Sequence, residues 1–218
     1  MDNPVHQART NAWLSIPLED YEGHMGPEGV QQLDGLADLF ARVLSLAAPE
    51  SVMILGVAGG NGLDRIDRAV TRRIVGVDIN PRYLEAVRHR HATLPGLELH
   101  CTDLACERPR ITPAELVHAA LIFEHAGTGP CLDNALSLVK PGGRFSVVLQ
   151  LPSTSEAGVS PSRYLSIEAV KRDFRLIDPA EFRSSVEARG FRLQVETRVP
   201  LALGKAFWMG VFSSLARG

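Results

Sequence analysis

The sequence predicts a doubly wound α/β fold built on a mostly parallel, seven-stranded sheet, and three observations predict it. Short apolar runs alternate with stretches of helical periodicity along most of the chain. A loop poor in side chains, Gly56-Val57-Ala58-Gly59-Gly60-Asn61-Gly62, follows the first of those runs. The last two runs are separated only by 200–205, close enough to form a hairpin that adds one antiparallel strand. With 218 residues, 45% of them hydrophobic and 22% charged, the chain can bury one full core.

The elements follow in order. Over 27–47, Val30, Leu33, Leu36, Phe40, Val43, Leu44 and Ala47 share a helical face, and Pro49 ends it. Ser51–Leu55 reads as a strand buried on both faces. The spacing over 63–70 predicts a helix, and Arg73–Asp78 a second buried strand. Asn80-Pro81 opens a helix, because Asn caps free N–H groups and Pro suits the first helical position. That helix runs toward Thr93. Strands follow at Leu97–Cys101 and 115–123, then a helix over 131–140, the Pro141-Gly142-Gly143 turn, and a strand over 144–150. Asp178-Pro179 opens a last helix that Gly190 closes, and strands at 191–199 and 206–213 complete the sheet. The segment 151–177 reads as an insertion, loop-like over 151–163. Such insertions at the carboxyl edge of a sheet commonly serve function.

Composition removes several function classes. The net charge is −2 and no block of Lys and Arg stands out, against the basic face that a nucleic-acid binder needs. The longest apolar runs are far too short to span a bilayer, and 1–10 lacks the apolar core of a signal peptide; a cytoplasmic location is expected. Cys101, Cys106 and Cys131 form no CxxC pair. Each reads as a small buried hydrophobe, and no metal site is expected.

The chemistry lies at the carboxyl ends of the strands. Small residues at 56, 58, 59, 60 and 62 let the backbone turn and approach a ligand, and the following helix would aim its N-terminus there. Asp78 closes the second strand, placed to accept hydrogen bonds from both hydroxyls of a ribose. Asp103 lies just past the third, placed to accept from an adenine amino group. The GxGxxG order of dinucleotide-binding enzymes fails at Ala58 and Asn61, and no GK[ST] follows to make a P-loop.

In these segments the sequence resembles the class I S-adenosylmethionine-dependent methyltransferases, especially the small-molecule branch. LGVAGGNG resembles their motif I, VGVDIN the acidic end of their second strand, and CTDL their motif II. AELVHAALIFEHAG is similar to their motif IV region, and LVKPGGRF to the turn before their fifth strand. The resemblance spans 51–213 and implies the Rossmann-like methyltransferase fold, with a lid segment and helix over 1–50 and the cofactor-binding core over 51–218. Three features depart from the family's pattern. Ile54 stands where the family usually carries Asp or Glu, Ala58 replaces the middle glycine, and an Asn-Pro-Pro-Tyr motif is absent, which argues against methylation of adenine in DNA.

The resemblance implies S-adenosylmethionine as cofactor and S-adenosylhomocysteine as product. It implies contacts from Gly56, Val57, Ala58, Gly60 and Asn61 to the methionyl and ribose parts, and from Asp78 and Ile79 to the ribose and adenine. Asp103 and Leu104 would meet the adenine edge, and Ala120 and Leu121 the floor near the sulfonium. His125 and Glu124 are the candidates for a general base. Tyr21, His24 and Met25 of an aromatic arm, and Tyr164 of the insertion, are candidates to meet a small-molecule acceptor. Tyr164, Arg163 and Arg175 together could bind an anionic one. His118 reads as packed, and His89, Arg90 and His91 as solvent-facing. Two alternatives stand beside methyl transfer to an O, N or C atom of a small molecule. One is a weakly active or inactive cofactor-binding adaptor of the same fold, which Ile54 favours. The other is a methyltransferase of protein or RNA, which needs an open surface.

Overall fold

The structure, a computed structural model, describes residues 11–153, 162–201 and 204–215. Seven strands form one sheet: β1 (Ser51–Leu55), β2 (Arg73–Asp78), β3 (Leu97–Cys101), β4 (Ala114–Ala120), β5 (Val139–Gln150), β6 (Phe191–Pro200) and β7 (Ala206–Ser214). Their order is β3-β2-β1-β4-β5-β7-β6. The pairings from β3 through β5 are parallel, and β7 alone runs antiparallel to its two neighbours. The expected doubly wound sheet, with one antiparallel strand from the closing hairpin, is the one observed.

Two apolar cores cover the two faces. On β1, Val52 and Ile54 point to one face, where they join Phe40 and Val43 of α2 (Leu33–Ala47) and Leu84 and Val87 of α3 (Pro81–Arg90). Met53 and Leu55 point to the other, with Leu132 of α5 (Pro130–Ser137) and Phe182 of α7 (Pro179–Glu187). Double-sided burial is why β1 reads as an unbroken apolar run. His118 on β4 is buried as expected, its Nδ1 3.2 Å from Ser146 Oγ and its ring 4.8 Å from that of Phe40. Burial lowers its pKa to about 4.

Several boundaries move. The helix expected over 63–70 is absent; only a 3-10 turn forms at Leu63–Arg65. Local side-chain bonds compete with a helix here. Asp67 accepts from Ala69 N at 2.8 Å, and Arg68 donates to the carbonyls of Thr71 and Arg72. No helix N-terminus therefore points from this segment at the glycine loop. The helix expected from 27 starts at Leu33, because 26–31 folds into a tight turn in which Gly26 O accepts from Gly29 and Gln31. Strand β4 stops at Ala120, where Leu121 turns left-handed (φ 57°) and leads into the single turn α4 (Phe123–Ala126). The expected 141–143 turn lies inside β5 as a bulge: Val139 pairs with Ala114, but Arg144 already pairs with Leu116. Cys131 is buried, whereas Cys101 and Cys106 are exposed, contrary to expectation. The arm contains a helix not foreseen, α1 (Leu18–Met25), after a 3-10 turn at Ala12–Leu14, and the insertion carries α6 (Glu168–Lys171). Among the described residues no helix is long and apolar enough to cross a membrane.

Candidate active site

The strand order reverses between β1 and β4, and ligands of open α/β sheets bind beyond the carboxyl ends of strands at such a point. A cavity of about 180 Å³ lies there. Of the residues singled out from the sequence, Gly56, Ala58, Asp78, Ile79, Asp103 and Leu104 line it, and so do Ala120, Leu121 and His125. Tyr21 and Met25 close it from the arm. Val57, Gly60 and Asn61 stand outside it. Val57 is buried in the apolar core, Gly60 faces the His91 ring, and Asn61 Nδ2 donates to Leu33 O at 2.9 Å, tying the loop to α2.

The loop conformation explains the small residues. Gly56 has φ 70°, and its N–H donates to Val77 O at 2.8 Å; a Cβ here would lie 2.6 Å from Ile122 Cγ2. Ala58 also takes a left-handed φ of 45°, secured by its N–H donating to Asp78 Oδ2 at 2.9 Å. The other carboxylate oxygen of Asp78 accepts from Asn80 N at 2.9 Å. Burial raises the Asp78 pKa, while the N–H groups of Asn80, Ala58 and Ile79 pull it back. Asp103 Oδ1 accepts from Ala105 N at 2.9 Å, which leaves its second oxygen free of backbone at the cavity.

The arm roofs the crevice, and α3 fastens it. Asn80 caps α3 through Oδ1 and donates through Nδ2 to Trp13 O at 2.8 Å. Arg82 Nη2 donates to Leu14 O at 2.6 Å. Arg90, expected to be merely solvent-facing, pairs with Glu22 of α1 and donates to Gly59 O at 3.2 Å. Gly59 is thus bare for the arm's sake: a Cβ there would fall 2.1 Å from Glu22 Oε1. Trp13 stacks edge-on against His125 at 4.9 Å and Tyr21 at 5.9 Å. Burial, then the charge of Asp78, pushes the Tyr21 hydroxyl pKa up.

A second, smaller chamber of about 60 Å³ lies beside the first and shares Trp13, Tyr21, Met25, Leu121 and His125 with it. His24 lines only this chamber. His125 is half-buried, its buried Nδ1 has no partner, and desolvation lowers its pKa to about 4. Glu124 lines neither chamber. It is 1% exposed, and its Oε1 accepts from Gln150 N at 2.8 Å. Burial raises its pKa to about 7. Tyr164 also stays outside, its hydroxyl against Gly23, and Arg163 pairs with Glu28. Arg175 donates to the carbonyls of Arg172 and Phe174. The cation that does line a chamber is Lys205, unmarked in the sequence, as are Tyr83 and Thr102 of the larger cavity; Trp13 of the aromatic arm lines both.

No family model matches the chain, and no curated protein matches it by sequence. Solved structures do match. N-methyltransferase NodS from Bradyrhizobium japonicum WM9, in complex with S-adenosyl-L-homocysteine, superposes with TM-score 0.66 at 13% identity, covering 94% of this chain and 98% of its own. Magnesium protoporphyrin IX methyltransferase ChlM from Synechocystis PCC 6803, with bound SAM, gives 0.66 at 11%, covering 93% of each chain. The [4+2]-cyclase SpnF gives 0.65 at 14%, covering 84% of this chain and 82% of its own. At these identities the likeness is one of fold.

Proposed function

We propose that this chain, which has the Rossmann-like class I methyltransferase fold, is an S-adenosylmethionine-dependent methyltransferase acting on an O, N or C atom of a small molecule. The observation that carries this reading is that Gly56, Ala58, Asp78 and Asp103 converge on one roofed crevice at the reversal of strand order. The residues fit the cofactor. Asp78 keeps lone-pair sites beyond those its backbone partners use, and the loop offers bare backbone. The Tyr83 hydroxyl on the cavity wall is buried without a partner.

Asp78, Ile79, Asp103 and Leu104 would hold the nucleoside, and Gly56 and Ala58 the methionyl side. The cofactor supplies an electrophilic methyl on positive sulfur, whose departure needs no acid. The chain's own part is alignment and exclusion of water, which Trp13, Tyr21 and Met25 provide as a roof. The unpartnered Nδ1 of His125 belongs to a ring that lines both chambers, which places it to take a proton from an acceptor that must lose one, although desolvation weakens it as a base. Glu124 lines neither chamber and spends Oε1 on Gln150 N, so it does not face the acceptor. The roof over the crevice argues for a small acceptor and against protein or RNA.

Calorimetric titration with S-adenosylmethionine and S-adenosylhomocysteine tests the reading. Both should bind the wild type, and Asp78→Asn should weaken both by about tenfold or more. Absence of heat with either ligand overturns it. A second reading, a module that binds the cofactor without transferring from it, draws on Ile54, which lies in the apolar core where the family carries an acid. Conversion of S-adenosylmethionine to S-adenosylhomocysteine in the presence of a small acceptor separates the two.

A further inference from the structure

The smaller chamber has a chemical bias of its own. Val30, Ile167, Val170 and Phe174 give it apolar walls, and none of its lining residues is a carboxylate. Alongside Trp13, Tyr21, His24, His125 and Gln150, its polar lining holds Gln32 and Lys205. Gln32 is 2% exposed and its Nε2 has no partner. Lys205 is 5% exposed, and no ion pair or side-chain hydrogen bond forms from it among the described residues. His24 is shifted toward its neutral form by burial and by the charges of Lys205 and Lys171. Burial likewise lowers the pKa of Lys205. A buried amide N–H without a partner is unfavourable, as is an ammonium largely desolvated by apolar walls, and an incoming anion relieves both.

We infer that the acceptor carries a carboxylate, seated in this chamber against Lys205 and Gln32, on an apolar body that reaches past His125 into the main crevice. This rests on the methyltransferase reading. One ammonium and one amide N–H match the single charge and two oxygens of a carboxylate; a phosphate dianion brings more charge and bulk than a 60 Å³ space with one cation suits. An oxygen paired to an ammonium is a poor nucleophile, so the carboxylate is an anchor and the methylated atom lies elsewhere on the molecule, nearer His125.

The probes are benzoate and its neutral isostere benzamide, titrated by calorimetry into protein saturated with S-adenosylhomocysteine. Benzoate should bind about tenfold more tightly than benzamide. Lys205→Met should erase that preference, leave the affinity for S-adenosylhomocysteine within about twofold, and raise Tm by removing an unpaired buried charge. Gln32→Met should reduce the preference in part. Equal binding of the two probes, or no binding of either, overturns the inference. So does a loss of S-adenosylhomocysteine affinity in Lys205→Met matching the loss of benzoate, since the ammonium would then serve the cofactor's own carboxylate. Failure of the wild type to bind S-adenosylhomocysteine sinks the methyltransferase reading instead; benzoate and benzamide titrated into the free protein still decide the anion preference alone.

Discussion

Gly59→Ala isolates the fastening of the arm from the conformation of the loop. Gly59 does not take a left-handed φ, so its backbone admits alanine. The new Cβ would meet Glu22 Oε1 at 2.1 Å and Arg90 Nη1 at 2.7 Å, the far ends of two flexible side chains. The backbone can stay while the ion pair parts. Both side chains are substantially solvated, at 32% and 45% exposure, which puts the pair at about 0.5–1 kcal/mol. If closure of the arm and ligand binding are linked, S-adenosylhomocysteine should bind about two- to fivefold more weakly. Global stability should hardly change, because alanine also restricts the unfolded chain, by about 0.4–1 kcal/mol. Calorimetric Kd values for Gly59→Ala, Glu22→Ala and the double variant form the cycle that decides it. In the Glu22→Ala background the alanine should be silent. A full extra loss there, or an unchanged Kd in the single variant, refutes the assignment of Gly59 to the arm.

Three further outcomes follow from the same geometry. Glu124, with its folded pKa raised to about 7, should destabilise the protein as pH climbs from its unfolded pKa, about 4.3, through 7, as burial of the ionised form becomes unavoidable. His118 and His125, lowered to about 4, act with the opposite sign between 4 and their unfolded value of about 6.5. The wild type minus Glu124→Gln difference isolates the carboxyl: it should fall with pH by on the order of 3 kcal/mol in urea melts, and a flat difference contradicts its burial. Asn80→Ala removes the cap of α3 and the bond to Trp13 O together, and should cost about 1–2 kcal/mol in urea denaturation and weaken S-adenosylhomocysteine binding; a loss of stability with ligand affinity intact would detach the arm from the site. Asp78→Asn puts an NH2 group against one of two backbone N–H donors, so besides losing ligand it should lower stability by about 1–3 kcal/mol in the same assay; an unchanged midpoint would contradict the pairing to Ala58 and Asn80.

The central strands were legible because parallel strands covered on both faces must be apolar, as β1 is from Val52 to Leu55 and β2 from Ile74 to Val77. The helix starts at Asn80 and Asp178 were legible because their caps are local: Asp178 accepts from Ala180 N at 2.7 Å, two residues away. Local signals also misled. The apolar spacing over 63–70 is real, but Asp67 and Arg68 bond the backbone first. The roof was legible as an aromatic-rich lid but its fastening was not, since what places it is contact across 67 and 68 positions of sequence, from Asn80 to Trp13 and from Arg82 to Leu14. Lys205 carried no signal, because a lysine in a hairpin loop reads as solvated until an apolar chamber closes around it.

The three fastenings of the arm are chemically unlike one another, and the surrounding medium can tell them apart. Dissolved electrolyte screens the solvated Glu22–Arg90 pair within a Debye length of about 8–10 Å at 0.1–0.15 M and far more closely in brine. The amide of Asn80 on Trp13 O carries no net charge and is indifferent to it. Concentrated salt therefore weakens the fastening at α1 while leaving the one at Trp13 unchanged, so the two ends of the arm answer differently to ionic strength.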